Sequence, residues 1–284
     1  MHDAISSQTA FRVAMRRAVH QILDSPRVFD DPLALPILGE DAASKIASFA
    51  SGSPQFGSLS LRAALVARSR YAEDKLAKAV ESGTRQYVVL GAGLDTFAYR
   101  NPHQQERLRV FEVDHPATQE WKRDRLRAAG IPIPANVVFV PVDFERQTFA
   151  SPLEEAGFRI DQRAFFSCLG VVPYLTERAF EETLGFIAAM PEGSEVVLDY
   201  AVARSCLNPA ERLALDALAA RVASGGEPFL LYFEPRRIAE RLRRMKFRRW
   251  EDLGSEEVNS RYFAGRTDGL RMRGNLGHLL SAQL

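Results

Sequence analysis

Hydrophobic positions along the chain change their period about eighty residues in. Before that point, apolar side chains recur at helical spacing over 9–23 and over 60–81. In the second stretch these positions are Leu61, Ala64, Leu65, Ala72, Leu76 and Ala79. Ser25-Pro26 and Asp31-Pro32 interrupt the chain between the two helical stretches, and residues 51–58 have the composition of a loop. The first sixty residues therefore predict short helices with breaks, followed by one long helix.

Short apolar runs then alternate with further helical patterns. The runs predict strands at 87–90, 110–114, 137–140, 164–168 and 195–199. Helical patterns over 116–129 and 176–189 separate some of these runs. Strands that are apolar throughout and alternate with helices are typical of a parallel sheet that is covered on both faces.

The last third of the chain departs from this alternation. A helix at 209–223 and the loop 224–228 come first, followed by a helix at 235–245 and two strands near 247–251 and 276–283. We therefore predict an α/β fold with a seven-stranded, mostly parallel sheet, helices on both faces and a Rossmann-like topology. We predict a single domain over 1–284, with a helical cap at 1–60 and an inserted cap segment at 203–233. The pattern does not give the order of the strands.

Composition and charge narrow the function classes. The 284 residues are 46% hydrophobic and carry a formal net charge of +1, which excludes wholesale disorder and gives no reason to expect nucleic acid as a partner. Arginines cluster over 236–249, but Ile238, Leu242 and Met245 give that helix a buried stripe, so a solvated face is expected. The five histidines lack the paired spacing of metal ligands, so no metal is expected.

Neither a signal peptide nor a membrane-spanning run is recognisable in the sequence. Arginines interrupt the apolar positions near the N-terminus, and no apolar run approaches about 18 residues. The two cysteines, Cys168 and Cys206, are isolated, which suits a reducing compartment. We therefore expect a cytoplasmic protein with no membrane partner.

A glycine turn follows the first predicted strand. Gly91-Ala92-Gly93 ends an apolar run, as in nucleotide-binding turns where glycines let the backbone approach a ligand. A dinucleotide fingerprint places a third glycine or alanine where this chain has Thr96. Asp95 would also repel a pyrophosphate, but it suits a cationic ligand. The turn therefore favours S-adenosylmethionine, a sulfonium without phosphates, over NAD or FAD.

Carboxylates end the next two predicted strands. Asp114 is placed to accept hydrogen bonds from both hydroxyls of a ribose, and Asp143 with Phe144 suits an adenine pocket. Each of these features has a purely structural alternative. Asp114 could cap the helix that starts at Pro116, and Asp143-Phe144 could be a strand end and a core aromatic.

Arg68 lies on the apolar stripe of the 60–81 helix and therefore needs an anionic partner. A ligand carboxylate could be that partner, held by both guanidinium nitrogens. Asp95, Glu112 or another buried acid could fill the same role.

Several motifs in this order resemble the leucine carboxyl methyltransferase-like family, and in particular its actinobacterial S-adenosylmethionine-dependent branch. The motifs are Gln8-Thr9-Ala10, Arg17-Ala18, Asp31-Pro32, Arg68-Ser69-Arg70, Leu90-Gly91-Ala92-Gly93-Leu94-Asp95-Thr96, Phe111-Glu112-Val113-Asp114, Val142-Asp143-Phe144, Gly170-Val171-Val172-Pro173-Tyr174-Leu175, Asp252-Leu253-Gly254, Asn259-Ser260-Arg261-Tyr262 and Gly265-Arg266-Thr267-Asp268-Gly269-Leu270.

The resemblance implies specific contacts with S-adenosylmethionine. It implies that Gly91 and Gly93 approach the cofactor, that Asp114 holds its ribose, and that Asp143 and Phe144 frame its adenine. It further implies that Arg68 and Arg17 hold the methionine carboxylate. One departure from the family pattern is Leu169, where the eukaryotic enzymes have a glutamate that contacts the methionine part. Either another acid or backbone carbonyl groups then take that role, or cofactor binding is weakened.

We therefore predict a methyltransferase that methylates a carboxylate or hydroxyl oxygen of a small molecule. Tyr174 is a candidate for the acceptor site, although it could equally be a packed tyrosine, and no residue stands out as a general base. An NAD(P)-dependent oxidoreductase is one alternative, which Thr96 and Asp95 disfavour. The other alternative is a non-catalytic protein that only binds the cofactor.

Overall fold

The computed structural model describes residues 3–39, 42, 44, 46, 59–144 and 147–284. The expected loop at 51–58 lies outside these residues. The described residues form a seven-stranded sheet in the order β3-β2-β1-β4-β5-β7-β6. Its strands are β1 (Gln86–Leu90), β2 (Arg109–Asp114), β3 (Val137–Pro141), β4 (Ala164–Cys168), β5 (Glu195–Ala201), β6 (Arg249–Leu253) and β7 (Gly277–Gln283). The first five run parallel, and β7 is antiparallel to both β5 and β6. The predicted fold class is confirmed.

Helices lie before and between these strands. They are α1 (Asp3–Leu23), α2 (Leu59–Glu81), α3 (Pro116–Ala128), α4 (Ala150–Glu155), α5 (Glu177–Ala188), α6 (Pro209–Ala223), α7 (Pro235–Arg244) and α8 (Ser255–Tyr262). The sequence did not predict α4 or α8, which have six and eight residues. Two turns of helix or fewer are too short for the apolar period to appear.

The sixth strand begins two residues later than expected. Lys246 has a φ of 69° and the Phe247 N–H donates to the Leu242 carbonyl, so both residues form the exit of α7. An apolar residue followed by arginines fits a helix end as well as a strand start.

Both faces of the sheet are covered, which explains why the central strands are mostly apolar on both sides. Val88 packs in a cluster with Phe180 and Leu184 of α5, whereas its neighbour Val89 packs with Leu76 of α2 on the other face. Successive side chains of a strand point to opposite faces, so a doubly covered strand shows no polar alternation. A third cluster joins α1 to α3.

The strand order reverses beside β1, whose neighbours are β2 on one side and β4 on the other. In open parallel sheets, ligands bind at the carboxyl ends of the strands at such a reversal. The residues after Leu90 and Cys168 are therefore where a site is expected.

Candidate functional site

A cavity of about 230 Å³ lies at this reversal point. It is lined by Thr9, Ala10, Val13, Ala14, Arg17, Arg68, Ser69, Val89, Leu90, Gly91, Ala92, Gly93, Leu94, Asp95, Asp114, Thr118, Ser167, Leu169, Gly170, Val171, Tyr174 and Glu227. The glycine turn, the end of β2, three helices and the segment after β4 therefore meet at one place. Of the ten site residues predicted from the sequence, only Asp143 and Phe144 are absent from this lining.

The two glycines of the turn are required by their surroundings. Gly91 and Gly93 have φ values of 67° and 48°, in the left-handed region. A Cβ on Gly91 would overlap the Val171 side chain, and one on Gly93 would lie 3.2 Å from the Ala10 Cβ of α1. Helix α1 therefore passes directly over the turn, at a distance that only glycine allows.

Asp114 supports the glycine turn from the end of β2. One carboxylate oxygen accepts from the Gly93 N–H at 2.5 Å and the other from the His115 N–H at 2.7 Å. Burial raises the pKa of Asp114, against the opposing effect of these two donors. The N-cap of α3 is His115, whose side chain accepts from the Ala117 N–H. Asp114 is therefore not the helix cap, and its carboxylate forms part of the cavity wall.

An ion-pair network holds the far side of the turn. The Arg17 guanidinium donates to Asp95 at 3.2 Å and also to the Leu94 carbonyl. Burial acts to raise the pKa of Asp95, but Arg17 and nearby cations hold it below its usual value. Thr96, which departs from the dinucleotide fingerprint, donates to Asp31 at 2.8 Å. Arg17 lines the cavity, and the groups it binds belong to the protein itself.

Arg68 has a protein partner that the sequence did not name. Its Nη1 donates to Oδ2 of Asp199 at 3.1 Å, while Oδ1 accepts from the Gly170 N–H at 2.5 Å. Asp199, which is partly buried, is therefore the acidic partner that the sequence left open. Its signal in the sequence was a carboxylate directly after the apolar run Val196-Val197-Leu198. Arg68 nevertheless reaches the cavity, beside Gly170 and Leu169.

Asp143 and Phe144 do not line the cavity and lie just after the end of β3. The Val142 N–H donates to the Asp114 carbonyl at 2.9 Å, which continues the pairing of β3 and β2. Phe144 packs near Phe149, with ring centroids 6.4 Å apart. The adenine pocket assigned to the pair stays a prediction.

The cavity also contains Glu227, which the sequence analysis did not single out as a site residue. Glu227, in the loop after α6, accepts a hydrogen bond from the Thr9 hydroxyl of α1. Nothing in a glycine-rich loop signals such a contact, because its partner is 218 residues away.

Tyr174 belongs to the same wall as Glu227. Its ring packs edge-on against Phe229 at 5.3 Å, and the Leu230 N–H donates to the Pro173 carbonyl at 2.7 Å. Burial raises the pKa of Tyr174 to about 12, with Glu227 adding to the effect and Arg68 opposing it. Tyr174 is therefore a hydrogen-bond donor at neutral pH.

Comparison with known proteins identifies the family. The sequence model of the leucine carboxyl methyltransferase family matches residues 10–188. The chain belongs to this family. A Bacillus subtilis relative, named "Putative S-adenosyl-L-methionine-dependent methyltransferase YktD", is 33% identical, with 93% of this chain and 94% of the relative covered. A Saccharopolyspora erythraea protein of the same description is 34% identical over 70% of this chain and 69% of its own.

Two solved structures share the fold of this leucine carboxyl methyltransferase family member. A DUF574 family protein from Streptomyces avermitilis has a TM-score of 0.55 and 16% identity, covering 87% of this chain and 94% of its own. A Thermobifida fusca structure named a "putative methyltransferase" has the same TM-score and identity, with coverages of 92% and 98%. The predicted enzyme class, a methyltransferase that uses S-adenosylmethionine, is confirmed.

The family match includes the glycine turn and both arginines but ends before the segment 203–233. The described residues contain no helix that is long and apolar enough to cross a membrane.

Proposed function

We propose that this family member transfers the methyl group of S-adenosylmethionine to an oxygen atom of a small molecule bound in the 230 Å³ cavity. The observation that carries the proposal is the cavity's charge. Its wall contains three carboxylates, from Asp95, Asp114 and Glu227, and each of its two arginines is bonded to a carboxylate of the protein. Such a wall suits a sulfonium cation and would repel a pyrophosphate.

The residues present fit the cofactor. The left-handed backbone at Gly91 and Gly93 forms a turn that a Cβ would obstruct, directly beside the Asp114 carboxylate. Each carboxylate oxygen of Asp114 accepts one backbone N–H and keeps a second lone pair for a ribose hydroxyl. We assign Asp114 to the ribose.

The other predicted residues receive roles on the same reasoning. We assign Asp143 and Phe144 to the adenine. They follow β3, which pairs with β2, the strand that ends at Asp114. We assign Arg68 to the methionine carboxylate, because its guanidinium reaches the cavity and can bind a second carboxylate beside Asp199. Arg17, which binds Asp95 and the Leu94 carbonyl, positions the turn.

Methyl transfer from an activated sulfonium demands mainly positioning from the protein. When bound, the cofactor supplies an electrophilic methyl group on a neutral leaving sulfur. The chain orients both reactants and excludes water. We propose that α1 and the segment 203–233 cap the cavity for this purpose, since Thr9 and Glu227 meet across it.

Calorimetric titration with S-adenosylmethionine and S-adenosylhomocysteine tests the proposal, with NADH and NADPH as comparison ligands. We expect micromolar binding of the sulfonium and its product, and none of the nicotinamides. Asp114→Asn should weaken binding by about 10- to 100-fold, the loss expected for a charge-assisted hydrogen bond.

Asp124→Asn is the matched control. Asp124 lies on the exposed face of α3 and pairs with Arg127. Its substitution makes the same change in charge and should leave both affinities unchanged. Tight binding of NADH, or equal effects of the two substitutions, would refute the assignment.

A further inference from the structure

The carboxylates of the cavity are held in different ways. Asp95 is paired with Arg17, and Asp114 is held by two backbone N–H groups. Glu227 accepts from the neutral hydroxyl of Thr9. It is half-buried and reaches the cavity from the inserted segment, on the side where Tyr174 stands. Within the described part of the chain, no arginine is bonded to Glu227. An acceptor bound there therefore faces a carboxylate whose charge no bonded arginine neutralises.

The wall around Glu227 is fixed in place. Both the Leu230 and Leu231 N–H groups donate to the Pro173 carbonyl, which ties the inserted segment to the turn bearing Tyr174. The Phe229 ring packs against Tyr174, and the Thr9 hydroxyl joins Glu227 to α1. These contacts therefore fix the position of Glu227 in the cavity lining.

We infer that the methyl acceptor is an alcohol or phenol that is uncharged at neutral pH, and that the Glu227 carboxylate is its general base. The inference rests on the proposed function and narrows the oxygen acceptor to one class. A carboxylate acceptor would have to approach Glu227 against like-charge repulsion at a partly buried site. A neutral hydroxyl instead donates its hydrogen bond to that carboxylate.

The chemical step balances with these groups alone. The acceptor oxygen forms a bond to the methyl carbon, and the bond from that carbon to sulfur breaks with its electron pair remaining on sulfur. The hydroxyl proton passes to the Glu227 carboxylate. The products are a methyl ether, a neutral thioether and a protonated glutamic acid, which returns its proton to water.

Tyr174 complements Glu227 in this arrangement. Tyr174 is a partly buried phenol that lines the cavity and keeps its proton at neutral pH, so it can donate a hydrogen bond but cannot act as the base. Its hydroxyl is placed to orient the acceptor, while Glu227 receives the proton.

Binding of matched probes tests the inference in protein saturated with S-adenosylhomocysteine. The probes are 2-naphthalenemethanol against 2-naphthoate and 1-octanol against octanoate, so each pair differs mainly in charge. We expect each alcohol to bind on the order of 10- to 100-fold more tightly than its carboxylate. Glu227→Gln, which removes the charge and keeps the shape, should reduce this ratio to near one.

Two further variants separate charge from structure. Asp216→Asn makes the same change in charge on the exposed face of α6, where Asp216 pairs with Arg204, and should leave the ratio unchanged. Thr9→Val removes the hydrogen bond to Glu227 but keeps its charge, so the preference for alcohols should persist. Loss of the preference in Thr9→Val would show that the contact rather than the charge is responsible, and would overturn the inference.

The remaining outcomes are equally decisive. A carboxylate probe that binds as tightly as its alcohol, or a methyl ester among the products by mass spectrometry, overturns the inference and leaves the proposed function intact. Failure to bind S-adenosylhomocysteine overturns both. A methyl ether product, formed with a kcat that Glu227→Gln lowers on the order of 10²- to 10⁴-fold at similar KM, supports the general base.

Discussion

The two arginines that were predicted to hold one ligand group have different protein partners in the structure. Arg17 binds the backbone and acid of the glycine turn, whereas Arg68 binds Asp199 and projects to the cavity beside Gly170. A helix position shows that an arginine is buried, but the identity of its partner depends on which other segments come near.

Gly170→Ala should separate strain in the backbone from damage to the site. Gly170 has a φ of 70°, and an added Cβ would lie 2.8 Å from both terminal nitrogens of Arg68. The left-handed backbone should cost about 1–2 kcal/mol of stability, and displacement of Arg68 should also weaken S-adenosylhomocysteine binding. Denaturant unfolding and calorimetry measure the two effects.

Gly130→Ala supplies the control. Gly130 has a φ of 64°, and its Cβ would meet nothing within 4 Å. A similar loss of stability with unchanged ligand affinity is expected. If Gly130→Ala weakened binding as much as Gly170→Ala, the local contact with Arg68 would not be the cause.

Glu195 gives the stability a pH dependence. Burial raises its pKa to about 7, although Lys75 and Lys78 oppose the shift. Because the folded pKa lies above the unfolded value, the favourable contribution is complete below about pH 4.5 and is lost as pH rises through 7. Glu195→Gln should therefore stabilise the protein at pH 8, by about 1–3 kcal/mol relative to its effect at pH 5. Urea unfolding at the two pH values measures this difference, with the exposed Glu182→Gln as control. If the two variants changed the free energy of unfolding equally at both pH values, the raised pKa of Glu195 would be refuted.

At the scale of elements, α1 is attached to the glycine turn by ion pairs as well as by packing. Arg17 is 3% exposed and has Asp95 and Asp31 within 3.7 Å. The apolar pattern predicted this helix from residue 9, but it did not predict that the helix would lie over Gly93. Close packing and one arginine together fix its position.

Arg17→Met should destabilise the fold by about 3 kcal/mol, because it removes one cation from the buried Asp31 and the partly buried Asp95. It should also raise the pKa of Asp95, which Arg17 helps to hold down. Arg27→Met, at a residue whose side chain is 49% exposed and pairs with Asp30, should cost no more than about 0.5 kcal/mol. Thermal unfolding compares the two, and similar losses would mean that the buried network contributes little.

The elements also show where pattern reading is reliable. The five parallel strands were predicted within about two residues, since each is a buried run between polar breaks. The sixth strand was placed too early, because Phe247 is buried at the end of α7 rather than in the sheet. Burial alone does not distinguish a helix exit from a strand.

Taking the whole molecule, the cavity draws on segments as far apart in the chain as Thr9 and Glu227. Ligand that binds only the folded state should therefore stabilise all of it. S-adenosylhomocysteine at 100 times its Kd should add about 2.7 kcal/mol to the free energy of unfolding, and raise Tm by about 4–5 °C. NADH at the same concentration should leave Tm unchanged. A thermal scan that showed the reverse order would contradict the cofactor assignment.

Local spacing in the sequence was sufficient to determine the fold class, the glycine turn and the family. A strand, a turn and a helix period each span a few residues, so their chemistry is readable from neighbours along the chain. The tertiary structure alone decided that β7 lies between β5 and β6, that Arg68 meets Asp199 across 131 residues, and that Thr9 meets Glu227 across 218. These contacts depend on which distant segments pack together, and no local period records that.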